Sequence, residues 1–409
     1  MKKSFIALGI FVFLYGCLIH NNVLAVYQSP NQLYDQVWKL VNSRYVDRSK
    51  NSQDWETKWR HKYDNYIQTN EDAYVAINTM LSSLNDPYTR FLEPKEFREE
   101  ANSMNGSLKG IGIQIGMKDG KLTVIAPIED TPAEKAGLLA GDIILEINGK
   151  STKTITVDKA ADQIRGPEGT QVTLLIKRGE QEPKSYTVTR AQIKLKSVSQ
   201  KIPDNVTMPN DICYIRLSTF MSRAAADEFG AIVDNNYHKK GFIIDLRSNP
   251  GGLLNNAIVI SNMFLENCDI VSTVDRNNYK DITHAMKGVK TRKPVVILIN
   301  KGSASASEIF SGAMKDNGRA VLVGETTFGK GVVQEVTKLG TDISAHITIQ
   351  KYLTPNGTDI NKKGISPDVE VKLSEDDIKN KNDVQLKKAI EIVKQLESGA
   401  SVASFSRYY

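Results

Sequence analysis

Histidine and cysteine are scarce in this chain, at five and three among 409 residues. No block of basic residues stands out either, although 53 Lys and Arg against 47 Asp and Glu leave a net charge of +6. Charge mixed in this way describes a solvated surface and leaves no nucleic-acid footprint. No segment repeats. The apolar run from Phe5 to Ile19 falls short of the roughly 20 residues that a bilayer span needs. Apolar and charged fractions are otherwise ordinary, and the length suits two or three globular domains.

That short run carries a signal of its own. Lys2 and Lys3 precede it, and Val23-Leu24-Ala25 follows with the small residue a signal peptidase prefers. Residues 1–25 therefore read as an export signal cleaved after Ala25, which places the mature chain outside the cytoplasm, in a bacterial periplasm or envelope or a thylakoid lumen. An uncleaved anchor, or a lipid anchor at Cys17 with a poorly matching Tyr15, are the alternatives, and either would associate the chain with a membrane. Cleavage leaves Cys213 and Cys268. An oxidising compartment permits a disulfide, while the apolar run around Cys213 favours two buried free thiols.

Four regions follow. Residues 26–102 read as helical, with Leu33, Val37, Leu40 and Val41 and then Ile77, Met80, Leu81 and Leu84 at helical spacing, closed by Asp86-Pro87. Residues 103–191 read as a small β-rich module: Ile111, Ile113 and Ile115 alternate, Ile143–Ile147 ends at the tight-turn pair Asn148-Gly149, and a short helix over Val157–Ile164 precedes a strand over Val172–Ile176. Residues 192–373 alternate strand and helix: Phe242–Leu246, a helix over Leu253–Leu265, Pro294–Ile299, a helix over Ala306–Asp316, then Ala320–Val323. This pattern predicts an α/β core with parallel pairing. A C-terminal helix within 374–398 and a loose tail at 399–409 complete the chain.

The chemistry concentrates in Lys301-Gly-Ser-Ala-Ser-Ala-Ser-Glu308, which joins a buried strand to a helix. Ser305 and Glu308 fit a capping box, so Ser305 has a purely structural reading as an N-cap. Its small neighbours, however, leave room for a substrate backbone, and a helix N-terminus offers N–H groups to an oxyanion, that of Ala306 among them. A serine nucleophile needs a base. His61, His238, His284 and His346 lie outside any glycine-rich turn at a strand end, which leaves a Ser-His-Asp triad with little support. A neutral lysine can serve: lowering its pKa from about 10.4 by about 3 units costs on the order of 4 kcal/mol, within reach of burial. Lys330, in Gly324-Glu-Thr-Thr-Phe-Gly-Lys-Gly331, is the candidate. Gln334 falls on the same strand face, where its amide can orient the amine. The alternative for Lys330 is an ordinary exposed lysine in a glycine turn. The same stretch also opens like a phosphate-binding loop, but Gly331 stands where Ser or Thr would hold magnesium and a strand-like run follows.

Together these residues resemble the carboxyl-terminal processing (tail-specific) serine proteases over nearly the whole mature chain. The match is most specific at Gly302–Ile309, Gly324–Gly331 and Gln334, with Asp245–Gly252 as the family's strand–turn. The resemblance implies a crotonase/ClpP-like α/β sandwich with βα units, an inserted β-rich PDZ domain and an N-terminal helical region. It implies a serine endopeptidase with catalytic Ser305, Lys330 and Gln334, an oxyanion hole from the Gly251 and Ala306 N–H groups, and no metal or cofactor. Lys109-Gly-Ile-Gly-Ile113, Pro132–Leu138, Gly141–Gly149 and Arg165–Gly169 resemble a bacterial PDZ domain, which adds an extended peptide to a sheet edge. Lys109, Gly110, Ile111, Gly112 and Ile113 would then hold a terminal carboxylate, although these glycines also suit plain turns. Arg165 is a candidate sensor of bound peptide, or else a solvated helix-end cation. The implied partners are proteins with accessible C-terminal tails, with an adaptor protein as a further candidate. A non-catalytic PDZ scaffold is the remaining alternative.

Overall fold

A computed structural model of the chain describes residues 29–405, apart from short stretches at 52–54, 105–106, 119, 128–130, 140, 156, 195, 204, 375 and 378–379. The export signal and Cys17 lie outside the described residues. Two compact units emerge: one gathers the chain up to Arg98 together with Ser197 onward, the other is Glu99–Lys196.

The first unit opens with helix α1 (Pro30–Arg44), started by the Ser29 hydroxyl accepting from Gln32 N–H at 3.3 Å. Helix α2 (Asn70–Ser82) begins with a complete capping box between Thr69 and Asp72. Leu33, Val37, Leu40 and Val41 of α1 and Ile77, Met80 and Leu81 of α2 face one another in a shared cluster, which also takes in Leu339, Ile343, Ala345 and Ile347. Helix α2 stops at Ser82, ahead of the expected Asp86-Pro87, because Leu84 and Asn85 turn their N–H groups back to Leu81 and Ser82 and Asn85 takes φ 50°. The helical reading of 26–102 also misses strand β1 (Arg90–Leu92). Three residues are too few to show a period, and this strand exists through pairing with a segment some 250 residues away.

The second unit contains β2 (Ser107–Gly110), β3 (Ile113–Lys118), β4 (Lys121–Pro127), β5 (Ile143–Ile147), β6 (Lys150–Ser151), helix α3 (Val157–Ile164), β7 (Gln171–Lys177), β8 (Lys184–Thr189) and β9 (Ala191–Lys194). Strands run antiparallel in the order β3-β4-β5-β7-β8, with β6 on β5, while β2 pairs with β9. Val124, Leu138, Ile144, Ile147, Val172 and Leu174 fill its core. The expected strand through Ile111 is broken between β2 and β3. Gly112 there has φ 83°, and a Cβ on it would lie 2.4 Å from Thr131 Cβ, so backbone and side chain meet where no other residue fits.

The rest of the first unit supplies β10 (Val198–Ser199), β11 (Ile212–Leu217), α4 (Ala225–Asn235), β12 (Gly241–Asp245), α5 (Leu254–Asn262), β13 (Asp269–Asp275), β14 (Lys280–His284), β15 (Val295–Ile299), α6 (Ala306–Asp316), β16 (Val321–Gly324), β17 (Val332–Lys338), β18 (Ser344–Leu353), β19 (Val369–Glu370) and α7 (Val384–Glu397). One sheet runs β10-β11-β12-β15-β16-β19 and is parallel from β11 onward. Its central strands β12, β15 and β16 are buried on both faces. Phe242, Ile244, Val295, Ile297 and Ile299 join one cluster with α5 and α6, and Ile243, Val296, Leu298, Val321 and Val323 join another beneath α7. A second sheet runs antiparallel as β1-β18-β13-β14, with β17 on β18.

Helix α5 ends three residues before the expected Leu265, and α7 starts ten residues later than the region assigned to it. The expected loose tail is partly tied down, since Val402 and Phe405 pack against the α7 cluster. Cys213 is a buried free thiol, pushed up to about 11 by desolvation; Cys268 is also free but only half-buried, short of the burial expected. Among the described residues no helix is long and apolar enough to cross a membrane.

Helix α6 is the element on which the site will depend, and Phe310 anchors it. The ring is fully buried, with centroids 6.5 Å from Phe220 and 6.2 Å from Phe264. We expect Phe310→Ala to lower unfolding free energy by about 3–5 kcal/mol, measured as a shift of the urea midpoint.

Candidate active site

Three loops leave the C-terminal ends of the adjacent parallel strands β12, β15 and β16, where open α/β sheets collect their ligands. They are 246–253, 300–305 and 325–331. Asn300 Oδ1 accepts from Ser248 N–H at 2.7 Å, Ala304 N–H donates to the Asn249 carbonyl at 3.0 Å, and Phe328 N–H donates to the Ser303 carbonyl at 3.0 Å. The loops are thus laced into one surface.

Ser305 ends the middle loop at the mouth of α6, half-buried, at φ 55° and ψ −115°. This left-handed backbone is costly for a residue with a Cβ and is kept only where its surroundings enforce it. The helix start is satisfied by main chain: Glu308 and Ile309 donate to the Ser305 carbonyl at 2.8 and 3.0 Å. The Glu308 half of the expected capping box is present, its Oε2 accepting the Ser305 N–H at 2.8 Å.

Glu308 does more than cap. It is fully buried, and its Oε1 accepts from Thr327 Oγ1 at 2.6 Å and Gly329 N–H at 2.7 Å, while Oε2 also accepts from Lys330 N–H at 2.9 Å. The amides of Ser305 and Lys330 therefore converge on one carboxylate oxygen. Lys330 is half-buried, its Nζ donating to Gln334 Oε1 at 3.0 Å and lying 4.8 Å from the centre of the Tyr88 ring. Gln334 Nε2 in turn donates to the Tyr88 carbonyl. Tyr352, fully buried in β18, donates its hydroxyl to the Lys330 carbonyl. Burial, then the Glu308 charge, push its phenol well above the usual range, so it stays neutral, while the Ser305 hydroxyl works the other way.

Gly251 has φ 93°, and a Cβ there would sit 2.8 Å from both Ser305 Cβ and Ala306 N. Only glycine permits that approach. Its N–H donates to Asn249 Oδ1 at 2.9 Å, so in this structure the first of the two expected oxyanion donors is engaged within its own turn. Beneath the turn, desolvation raises the fully buried Asp245 carboxyl, but Arg247 and Arg216 outweigh it and hold the group below the usual range. Arg247 also reaches Asp383 at 2.8 Å and so pins the turn to the start of α7.

The histidines stand elsewhere. His61 pairs with Asp64 and His284 with Asp269, both exposed, His238 meets the Tyr237 ring edge to face, and His346 is buried within β18. Strand β17 follows the Gly324–Gly331 loop directly, so the helix that a phosphate-binding loop requires is replaced by a strand. Among the described residues no group of three or more His, Cys, Asp or Glu is arranged to hold a metal ion.

In the second unit, Lys109 is exposed, Gly110 ends β2, Ile111 and Gly112 form the break, and Ile113 opens β3. Ala133 N–H donates to the Ile111 carbonyl at 2.8 Å and Thr131 Oγ1 to the Gly112 carbonyl at 3.2 Å. Arg165 follows α3 directly. Its Cα and Cγ lie 3.9 Å from where a Cβ on Gly110 would be, and its guanidinium meets Glu99 at 3.2 Å. Tyr88, Asn249 and Tyr352 escaped the sequence reading, and Glu308 appeared there only as a cap.

Comparison with known proteins fits this geometry. The peptidase family S41 model matches residues 211–371 and a PDZ domain model matches 123–178. The chain is 38% identical over 406 residues to the carboxyl-terminal-processing protease of Synechocystis sp., covering 96% of this chain and 93% of that one. It is 37% identical over 317 residues to the carboxy-terminal processing protease CtpA of Bacillus subtilis, covering 76% and 67%. The solved structure of a photosystem II D1 C-terminal processing protease aligns with TM-score 0.60 at 31% identity, covering 85% of this chain and 94% of that one. Fold and site define a serine-type endopeptidase equipped with a PDZ domain. The chain belongs to peptidase family S41, among the carboxyl-terminal-processing proteases.

Removing the Glu308 carboxylate strands four donors at once. We expect Glu308→Ala to cost about 3 kcal/mol or more of stability and about a hundredfold or more in kcat, with Glu308→Gln in between. Urea unfolding and cleavage of an unfolded protein measure the two effects separately.

Proposed function

We propose that this endopeptidase binds the C-terminal tail of a client protein on its PDZ unit and cuts the chain with Ser305 as nucleophile and Lys330 as base. One observation carries the dyad: a single carboxylate, Glu308, takes the main-chain N–H of both residues, while Gln334 orients the lysine amine. In this mechanism neutral Lys330 Nζ receives the proton of Ser305 Oγ as that oxygen bonds the peptide carbonyl carbon. The electron pair moves onto the carbonyl oxygen, which the Ala306 and Gly251 N–H groups receive, Gly251 leaving Asn249 Oδ1 to do so. Collapse breaks the C–N bond, and Lys330 returns its proton to the departing amine. Water then loses a proton to Lys330 Nζ and bonds the acyl carbon, the C–O bond to Ser305 breaks, and Lys330 returns the proton to Ser305 Oγ.

The tail's terminal carboxylate is assigned to the loop from Lys109 to Ile113, with Arg165 at its flank, as the chemistry of peptide capture on backbone N–H groups suggests. The core is read as a crotonase/ClpP-like layered sandwich into which the PDZ unit is inserted. Export by residues 1–25 puts the enzyme outside the cytoplasm, which agrees with relatives named chloroplastic. Its clients are then proteins of that compartment with accessible tails, with an adaptor protein as a further candidate partner and membrane attachment only through an uncleaved or lipidated N-terminus.

Ser305→Ala and Lys330→Ala should each lower cleavage of an unfolded protein by about 10³-fold or more, with unchanged unfolding midpoints. Full activity in either variant rejects the dyad. A sulfonyl probe that labels Ser305 separates this reading from a non-catalytic scaffold. Arg165→Ala should blunt the rate increase that wild-type enzyme shows on adding a tail peptide; an equal response in both removes Arg165 from peptide sensing.

A further inference from the structure

The turn that precedes β1 delivers an aromatic ring to the active site. Asp86 accepts from Tyr88 N–H at 3.0 Å and from Thr89 Oγ1 at 2.8 Å, and Thr89 Oγ1 accepts from Thr348 N–H at 3.1 Å. The turn is therefore held both internally and against β18. Its carbonyl at Tyr88 takes the Gln334 amide, and its ring lies 4.8 Å from Lys330 Nζ. The amine thus has an amide oxygen on one side and a π face on another. Both favour a cation: the oxygen as an acceptor, the ring through its quadrupole.

A lysine base begins neutral and becomes an ammonium as the serine oxygen attacks. The group that must be stabilised in the transition state is therefore the charge developing on Nζ. We propose that Tyr88 is a positioning residue for the peptidase reaction, its ring face receiving the Lys330 ammonium as it forms. This inference rests on Lys330 being the base. Desolvation, with Asp86 and Glu308, raises the Tyr88 phenol above its ordinary value, so the ring remains a neutral phenol. Titratable groups against Lys330 include Glu308 of α6, which takes its N–H, and Tyr352 of β18, which holds its carbonyl. Asp86 lies on the same turn as Tyr88. All three persist in the variants below, which isolates the ring.

The sign of the effect is fixed. A ring that favours the ammonium raises the lysine pKa, and only the neutral amine accepts the serine proton. Losing the ring therefore moves the acid limb of kcat/KM to lower pH, by about 0.4 to 1.5 pH units, and lowers the plateau because the base is weaker. The test is the pH profile of kcat/KM for wild type, Tyr88→Phe and Tyr88→Leu on one unfolded substrate, beside Lys330→Ala. We expect the Phe variant to keep the wild-type limb and the Leu variant to shift it down. If Tyr88→Leu does not fold, phenylalanine carrying one and then three ring fluorines at position 88 keeps the shape while draining the π face, and the limb should step down with fluorination. An unmoved limb in the Leu or trifluoro protein, with Lys330→Ala inactive, overturns the role of Tyr88 alone. An active Lys330→Ala overturns the base assignment beneath it.

Discussion

Everything at this site hangs on one buried carboxylate. A fully desolvated Glu308 is tolerable only because four donors surround it, and those donors come from two places: the start of α6 and the loop after β16. The main chains of Ser305 and Lys330 are fixed to each other through that group, before any side chain is considered. The left-handed backbone at Ser305 and the close approach of Gly251 are compatible with this clamp and hard to sustain without it.

Around the clamp, each partner of the site is itself fixed. Arg247 and Arg216 neutralise Asp245 under the turn that carries Asn249 and Gly251. The second sheet contributes Tyr352 and Gln334, and the segment before β1 contributes Tyr88. Small residues, Ala304 and Ala306, flank Ser305 at the first turn of α6, and Gly251 packs closely against them. Geometry is delivered by strand ends and chemistry by loops, the division of labour common to open α/β sheets.

Much of this was legible in the linear sequence. Strands Phe242–Leu246 and Pro294–Ile299 stood out because both faces are buried, and helix Ala306–Asp316 because its serine-glutamate start is local. Strand-end context made Ser305, Lys330 and Gln334 candidates, and only the family resemblance selected them; the structure brings the main chains of the first two onto Glu308. What stayed hidden is what depends on distant partners. β1 has three residues and no period of its own, and Tyr88 gains meaning only from Gln334 and Lys330, some 240 residues away. The engagement of the Gly251 N–H by Asn249, and the reach of Glu308 across to residues 327–330, are matters of turn conformation that spacing does not encode.

The pairing of β1 with β18 has a bearing on biosynthesis. Its partners are separated by more than two hundred residues, the second compact unit among them, so closing that ladder comes late and slowly in folding. The β18 half of that ladder follows Ser305 and Lys330 closely in the chain, so Tyr88 can settle beside Lys330 only after β18 has been made.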